Sequence, residues 1–462
     1  MALSGMEKSP NAYHTMAKAI GILVMVSIFS MIWRAGIIVF VPIYWISKSA
    51  VVIALSILLI GMIAGLLPHE REFKAVIKRY RFALALLITP FIGIAGSSLL
   101  GFGWGAYFPL VRFEYIRILF MFFLFFITVY SAMESKLFIK IIFATIAASC
   151  IPLWLSLNST GKLFSLEAGR LTGTGNDSNF LAAWIIVALA GATIFFLWER
   201  RAIRWVWLAG IFVITPLLIW TVSRAAWLTA ILAACIILTL FFKNGCSKER
   251  ARRSGILIAT IVASLMCGFL LFPPLSRVVI TIRALAPLIS HERLVRVIRL
   301  AAPPNTIRKE DFPKAGDGFG IADELRVTIN NNRGWLWREG AQRLIQTPLG
   351  FGPAYYFWNP IGIEGLWMQH KLNAHNVWLD IGLSNGWLGL AIWLLFVYRV
   401  IGDAFRSQYR ENPECFAIVV SLFALLFLGT FMDMFTQPIV WIIFGLAAAS
   451  ARKTPTTTIT TP

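Results

Sequence analysis

Twelve apolar runs, each close to the length of one bilayer crossing, dominate the chain. They fall at about 17–45 (interrupted by Arg34), 50–67, 82–100, 113–131, 137–157, 179–198, 203–220, 225–242, 255–272, 376–398, 416–433 and 438–451. A helix of about 20 mostly apolar residues crosses the hydrocarbon core. Only helices and closed barrels satisfy every backbone N–H and C=O there without water. The pattern therefore predicts an all-α polytopic membrane protein with about twelve transmembrane helices. Composition agrees: of 462 residues 58% are hydrophobic and 14% charged, against about 45–50% and 25% in soluble domains. An ordinary soluble enzyme is excluded.

The formal charge of +20, from 42 Lys+Arg against 22 Asp+Glu, would point to nucleic acid in a soluble protein. Here topology absorbs it, and no nucleic-acid partner is expected. Loops carrying Arg71/Lys74/Lys78/Arg79/Arg81, Arg200/Arg201/Arg204, Lys243/Lys248/Arg250/Arg252/Arg253 and Arg399/Arg406/Arg410, with the tail residues Arg452/Lys453, all fall on one side. The positive-inside rule makes that side cytoplasmic. The opposite side then receives 101–112, 158–178, 221–224, 434–437 and one long stretch, 273–375. If 17–45 were two spans, only the N-terminus would change sides.

This divides the chain into an N-terminal bundle of about nine spans (1–272), a large outer loop containing helices (273–375), three C-terminal spans (376–451) and a low-complexity cytoplasmic tail (452–462). Lys8 and Lys18 precede the first apolar run with no small-residue cleavage site, as in a retained signal anchor. Within the outer loop, 288–302 places Leu288, Leu294, Val295 and Ile298 on one helical face and Arg293, Arg296 and Arg299 on another. Such a helix lies among anionic headgroups or over the protein's own spans. Cys150, Cys235 and Cys267 fall inside spans and Cys246 and Cys415 at the cytoplasmic side, so the outer loop holds no disulfide.

Polar residues gather at the outer ends of the spans in four places. Gly169 to Asn179 is a Gly/Thr/Asn-rich loop entering a span, where Arg170 and backbone N–H groups can hold an anion or Asp177 and Ser178 can simply cap a helix. Thr221-Val222-Ser223-Arg224 is a short outward turn whose arginine either snorkels or awaits an anion. Arg333 to Gly352 opens a helix, with Trp337, Ala341, Leu344 and Ile345 at helical spacing, that stops before Pro348 in a glycine turn. Trp335, Trp337, Trp358 and Trp367 suit sugar stacking, packing or membrane-edge anchoring. Asn373 to Asp380 re-enters the membrane. There His375 is a cap, a packed residue or a general base near neutral pH.

Together these segments resemble the O-antigen ligase/polymerase family of bacterial polytopic glycosyltransferases. The resemblance rests on the span count, the outer loop between the ninth and tenth spans, and ordered motifs. These are R-x-T-G-T…N at Arg170 to Asn179, S-R at Ser223-Arg224, R-x-x-x-W…P-x-G-x-G at Arg333 to Gly352, and H-N…G-x-x-G at His375 to Gly389. Membership implies a GT-C-like fold in the bacterial inner membrane that takes glycan from undecaprenyl pyrophosphate on the periplasmic face, without metal or other cofactor. The acceptor is lipid A–core in a ligase and another carrier-linked repeat unit in a polymerase.

Position by position, the resemblance makes His375 the group that activates the acceptor hydroxyl, and Arg224 and Arg333 the arginines that bind the pyrophosphate. Arg170, Trp337, Arg338, Asn376 and Asp433 are expected to line the substrate. The loop reads GTGNDSN where many relatives have a Phe and a Pro, so its local shape departs from theirs. Physically, guanidinium groups grip phosphate oxygens bidentately and never deprotonate, so two of them can stabilise a pyrophosphate leaving group. A transporter of polyprenyl-linked glycans is the competing class. It would concentrate ionisable residues at the bilayer midplane, where these runs are nearly free of charge.

Overall fold

The computed structural model describes residues 10–32, 43–63, 67, 69–99, 108–134, 136–151, 153–154, 166–167, 170–171, 178–221, 223–243, 247–271, 333–353, 374–406 and 412–450. Among these the architecture is helical, apart from an antiparallel pairing of Leu166–Glu167 with Arg170–Leu171. Five stretches are long and apolar enough to cross a membrane: Tyr115–Met133, Asn179–Trp198, Arg224–Lys243, Lys248–Leu271 and Val377–Arg406. Six shorter apolar helices accompany them. The chain is a polytopic helical membrane protein. The proposed interfacial helix at 288–302, most of the outer loop and the tail lie outside the described residues.

The apolar runs map onto α1 (Pro10–Ile32), α2 (Ile43–Ile63), α4 (Thr89–Leu99), α5 (Phe108–Glu134), α6 (Lys136–Cys150), α7 (Ser178–Trp198), α8 (Arg204–Trp220), α9 (Arg224–Lys243) and α10 (Lys248–Leu271). After the outer loop come α12 (Val377–Arg406), α13 (Pro413–Gly429) and α14 (Pro438–Ser450). Two helices lie off the apolar pattern. The amphipathic α3 (Glu70–Tyr80) precedes α4, and α11 (Arg333–Gln346) is the helix expected from the Arg333 segment.

Several boundaries differ from the apolar pattern, one of them at a proline. In the first run α1 covers Pro10–Ile32 and α2 starts at Ile43, with 33–42 outside the described residues. A proline inside a helix removes a hydrogen bond and clashes with the preceding turn, whereas at a helix start it does neither. The run at 82–100 divides into a 3₁₀ helix, Arg81–Leu87, and α4, which begins at Thr89-Pro90. The run expected to end at Asp433 stops helical pairing at Gly429. Its last amides, Thr430 and Phe431, tighten to the carbonyls of Phe427 and Leu428, and Asp433 lies in the following turn.

Proline inside a span needs a partner from outside. Pro216 in α8 cannot donate to the Phe212 carbonyl, and the Ser264 hydroxyl of α10 donates to it instead at 2.5 Å. Gly268 leaves room for the proline ring: a Cβ there would lie 2.6 Å from Pro216 Cβ. The Trp220 indole N–H then donates to the Gly268 carbonyl.

The deepest packing joins α5, α12 and α14. Trp393 and Phe396 of α12 meet Trp441 and Phe444 of α14 with ring centroids 5.5–5.9 Å apart. Phe125 of α5 completes the cluster against Phe396. Lipid is as apolar as these rings, so their gain comes from close packing and not from escape from water.

Helix α12 is broken at Gly386, whose φ of 70° is left-handed. The break releases backbone groups that a glycine turn at 348–352 takes up. Leu383 and Ser384 carbonyls accept the Phe351 and Gly352 amides at 2.6 and 2.9 Å, and the Trp387 amide donates to the Pro348 carbonyl at 2.9 Å. Backbone approaches backbone here, so Gly350 (φ 78°) has no room for a side chain, and Gly352 takes a left-handed φ of 87°. Helix α4 closes the joint: a Cβ on Gly93 would fall 2.5 Å from both the Gly352 nitrogen and the Ser384 oxygen.

Aromatic contacts fix which helix ends lie together. Trp198, closing α7, packs on Phe241, near the end of α9, and on Phe416, near the start of α13. Helices α9 and α13 pack together and are therefore antiparallel. Arg224, opening α9, lies at the same end as Gly429, closing α13. The other end holds ion pairs: Lys140 bridges Glu199 and Glu414 at 3.1 Å each, and Asp403 of α12 takes Arg79, Arg406 and, at 2.6 Å, the Tyr80 hydroxyl.

The helix joint makes a stability prediction. Gly350→Ala forces a left-handed residue against Gly386 and should destabilise the folded protein by about 1–3 kcal/mol. Gly255→Ala, at a helical site with nothing within 4 Å, should be neutral or up to about 1 kcal/mol favourable. Thermal unfolding in detergent, followed by the fraction remaining monodisperse, measures both.

Candidate active site

The turn that feeds α12 carries His375, half-buried and held at a φ of 48°. A side chain bearing a Cβ adopts this region at a penalty. Two buried neighbours hold it there. Asn376 is the N-cap of α12: its Oδ1 accepts the Trp378 and Leu379 amides at 3.0 and 3.2 Å, and its Nδ2 donates to the Thr430 carbonyl at 3.0 Å. Asp380, one turn into the helix, reaches back with its carboxylate. Oδ1 accepts the Ala374 amide at 3.1 Å and Oδ2 the Asn376 amide at 3.2 Å.

Two further elements meet this turn. Val377 packs on Gly429, so that the His375 turn and the 430–437 turn form one surface. Asp433 lies in that second turn, and its Oδ1 accepts the Phe435 amide at 3.0 Å. Helix α11 lies against the first half of α12. Gly340 faces Ala374, Leu379 and Leu383, and Leu344 fills the notch left by Gly382. Trp337, one turn earlier, has its ring 6.1 Å from Phe431, and among the described residues its indole N–H has no hydrogen-bond partner.

Arg333 opens α11 and lies four residues before Trp337, the spacing that puts two positions on one helix face. Its side chain is outside the described residues. Arg338 follows Trp337 and is exposed. Arg224 is the first residue of α9 and is exposed. The turn before it is tied locally, with Ser223 Oγ accepting the Ala226 amide and the Thr221 hydroxyl donating to the Leu218 carbonyl. Arg170 pairs with Glu167 in the short strand pair, and its side chain and the rest of the 169–177 loop are outside the described residues.

The structure thus gathers the His375 turn, the 430–437 turn and Trp337 of α11, and puts the start of α9 at the same end of the bundle. The amide of Asn376 is committed to three backbone groups, which makes it a cap and tether. Asp380, which the sequence showed only as an isolated charge near a span end, is the residue that sequence reasoning missed. Its signal was an acid four residues after an Asn N-cap, one position beyond the usual capping box. Among the described residues no three His, Cys, Asp or Glu side chains form a metal-ligating group.

A family sequence model described as O-antigen ligase matches residues 215–394. Over that segment the chain is similar to the O-antigen ligase family. The match takes in Arg224, Arg333, Trp337, Arg338, His375, Asn376 and Asp380, together with both halves of the joint at Gly386. Arg170 and Asp433 lie outside it. No curated protein matches the chain.

The cap is open to test. Asn376→Ala removes the N-cap and the tether to Thr430, and should lower stability by about 1–3 kcal/mol. Asn376→Asp keeps the acceptor and should lose less. Thermal denaturation of the detergent-purified variants reads the difference.

Proposed function

We propose that the protein is a glycosyltransferase that moves O-antigen polysaccharide from undecaprenyl pyrophosphate to lipid A–core on the periplasmic face of the bacterial inner membrane. The observation that carries this reading is the family match over the segment that contributes Arg224, Arg333 and His375, three residue types suited to the reaction. In it, an acceptor hydroxyl oxygen attacks the anomeric carbon, the bond from that carbon to the pyrophosphate oxygen breaks, and its electron pair leaves with the pyrophosphate. His375 accepts the hydroxyl proton. Arg224 and Arg333 stabilise the charge that develops on the leaving group. Attack from the face opposite the leaving group inverts the anomeric configuration.

The remaining roles follow from position. Trp337 offers a ring face to a sugar and an indole N–H to one of its oxygens. Arg338 and Asp433 border the same region, and Arg170 is assigned to it on the family resemblance alone. In this reading all twelve apolar runs cross the membrane, and the Arg79/Asp403 end is cytoplasmic. Transporters also use broken helices, whose freed backbone groups coordinate substrates and ions. In α12 the carbonyls of Leu383 and Ser384 are instead bonded to the glycine turn, which favours a fixed catalytic scaffold.

In cells lacking the protein, lipid A–core should carry no O-antigen while long polymer accumulates on undecaprenyl pyrophosphate. Core capped by a single repeat unit would instead identify a polymerase, and an unchanged lipopolysaccharide ladder would refute both. His375→Ala should reduce transfer by about 10²–10⁴-fold, the usual contribution of a positioned base, with normal membrane insertion. Arg224→Lys and Arg333→Lys should impair turnover because a point charge cannot reproduce the bidentate fork. Purified enzyme should keep its activity in EDTA.

A further inference from the structure

Asp380 is a carboxylic acid with 6% of its surface exposed, in a segment that reads as membrane-spanning. A buried charge is costly unless hydrogen bonds compensate it. The hydrogen bonds that Asp380 makes are placed with a clear purpose. One oxygen takes the amide of Ala374, the other the amide of Asn376, and between those two peptide groups sits His375 in its left-handed conformation. A single carboxylate thus clamps both sides of the residue whose backbone is least favourable. Asn376 cannot do this, because its amide holds the helix start and the 430–437 turn.

We propose that Asp380 is a positioning residue for His375. It fixes the imidazole's direction by holding the backbone on either side of it, and touches neither sugar nor pyrophosphate. The inference rests on the assignment of His375 as the base.

A positioned base loses about 10²-fold when displaced by about 1 Å. The experiment uses the full-length protein in lipid nanodiscs, with undecaprenyl-pyrophosphate-linked O-antigen as donor and lipid A–core as acceptor. Asp380→Asn preserves size but presents an NH₂ group to one of the two amides. Its kcat should fall about 10–10²-fold with donor KM unchanged. The decisive readout is a double-mutant cycle with His375→Ala. If Asp380 acts through His375, Asp380→Asn should cause no further loss of the residual rate in that background. An equal fold-loss in both backgrounds, a loss confined to KM, or wild-type turnover in the single variant would overturn the proposal. Should Asp380→Asn fail to accumulate, Asp380→Glu carries the same cycle, because it keeps the charge and moves the clamp by one methylene. Full activity in His375→Ala alone would overturn the assignment of the base itself, a result distinct from any failure of Asp380.

Discussion

Backbone groups in hydrocarbon must be paired, and each one left unpaired costs several kcal/mol. Helix α12 breaks at Gly386 and frees two carbonyls and an amide at once. The turn at 348–352 fills all three, and it can do so only because glycines at 350 and 93 let main chains touch and Gly352 takes a left-handed backbone. Sealing the break therefore dictates where α11 must go. Helix α11 is delivered along the first half of α12, and its Trp337 arrives beside the His375 turn. The apparent motif glycines are thus structural, and the arginine and tryptophan upstream of them are placed as a consequence.

The polar residues separate toward the two ends of the bundle, and the two ends are built differently. At the end away from His375, charges neutralise one another: Asp403 is enclosed by Arg79, Arg406 and Tyr80. Burial and the neighbouring carboxylate push the Tyr80 phenol far above its ordinary range, so it remains a donor. The exposed Arg406 contributes little to this network, whereas Asp403 is itself buried and depends on Arg79 and the Tyr80 hydroxyl for compensation. Arg253 performs a related task, donating to the last carbonyls of α7 at Leu197 and Glu199. At the His375 end, Arg224 and Arg338 are exposed and the carboxylate of Asp380 is committed to backbone. The far end thus pairs its buried carboxylate with protein cations and a phenol, while the described polar groups of the His375 turn are satisfied by backbone.

Helices were legible in the sequence where one apolar run made one span. Runs at 179–198, 203–220 and 225–242 match α7, α8 and α9 within a residue, the second across Pro216. Pro90 relocated a start because hydropathy averages over a residue whose effect is steric. Gly386 was visible only as half of a G-x-x-G motif, since a helix break repaired by a segment some 35 residues earlier leaves no local signature. His375 and Arg224 stand out in the sequence as polar groups at span ends, but their roles and that of Arg333 rest on the family resemblance. Asp380 could not be singled out, because its partners are backbone amides, which look alike in every sequence. The clamp exists only once the chain has turned back on itself.

Left-handed backbone alone does not mark His375 as functional. His69 shares the conformation, with a φ of 55°, ahead of α3, and faces Glu72 at 3.7 Å. Its strain is borne at the start of a short amphipathic helix, outside the segment that matches the family. What separates the two histidines is what holds them. A left-handed non-glycine residue is unfavourable by roughly 1–2 kcal/mol, and substituting glycine at either position would relieve that strain. At position 375 the surroundings instead supply a buried carboxylate, a tethered N-cap, a packed helix and a second turn, all converging on the turn that carries the half-buried imidazole. Strain that is supported by so many otherwise independent groups is difficult to explain by folding alone, since glycine would serve folding better. The arrangement is understood if position 375 must carry a side chain, and must carry it in one direction.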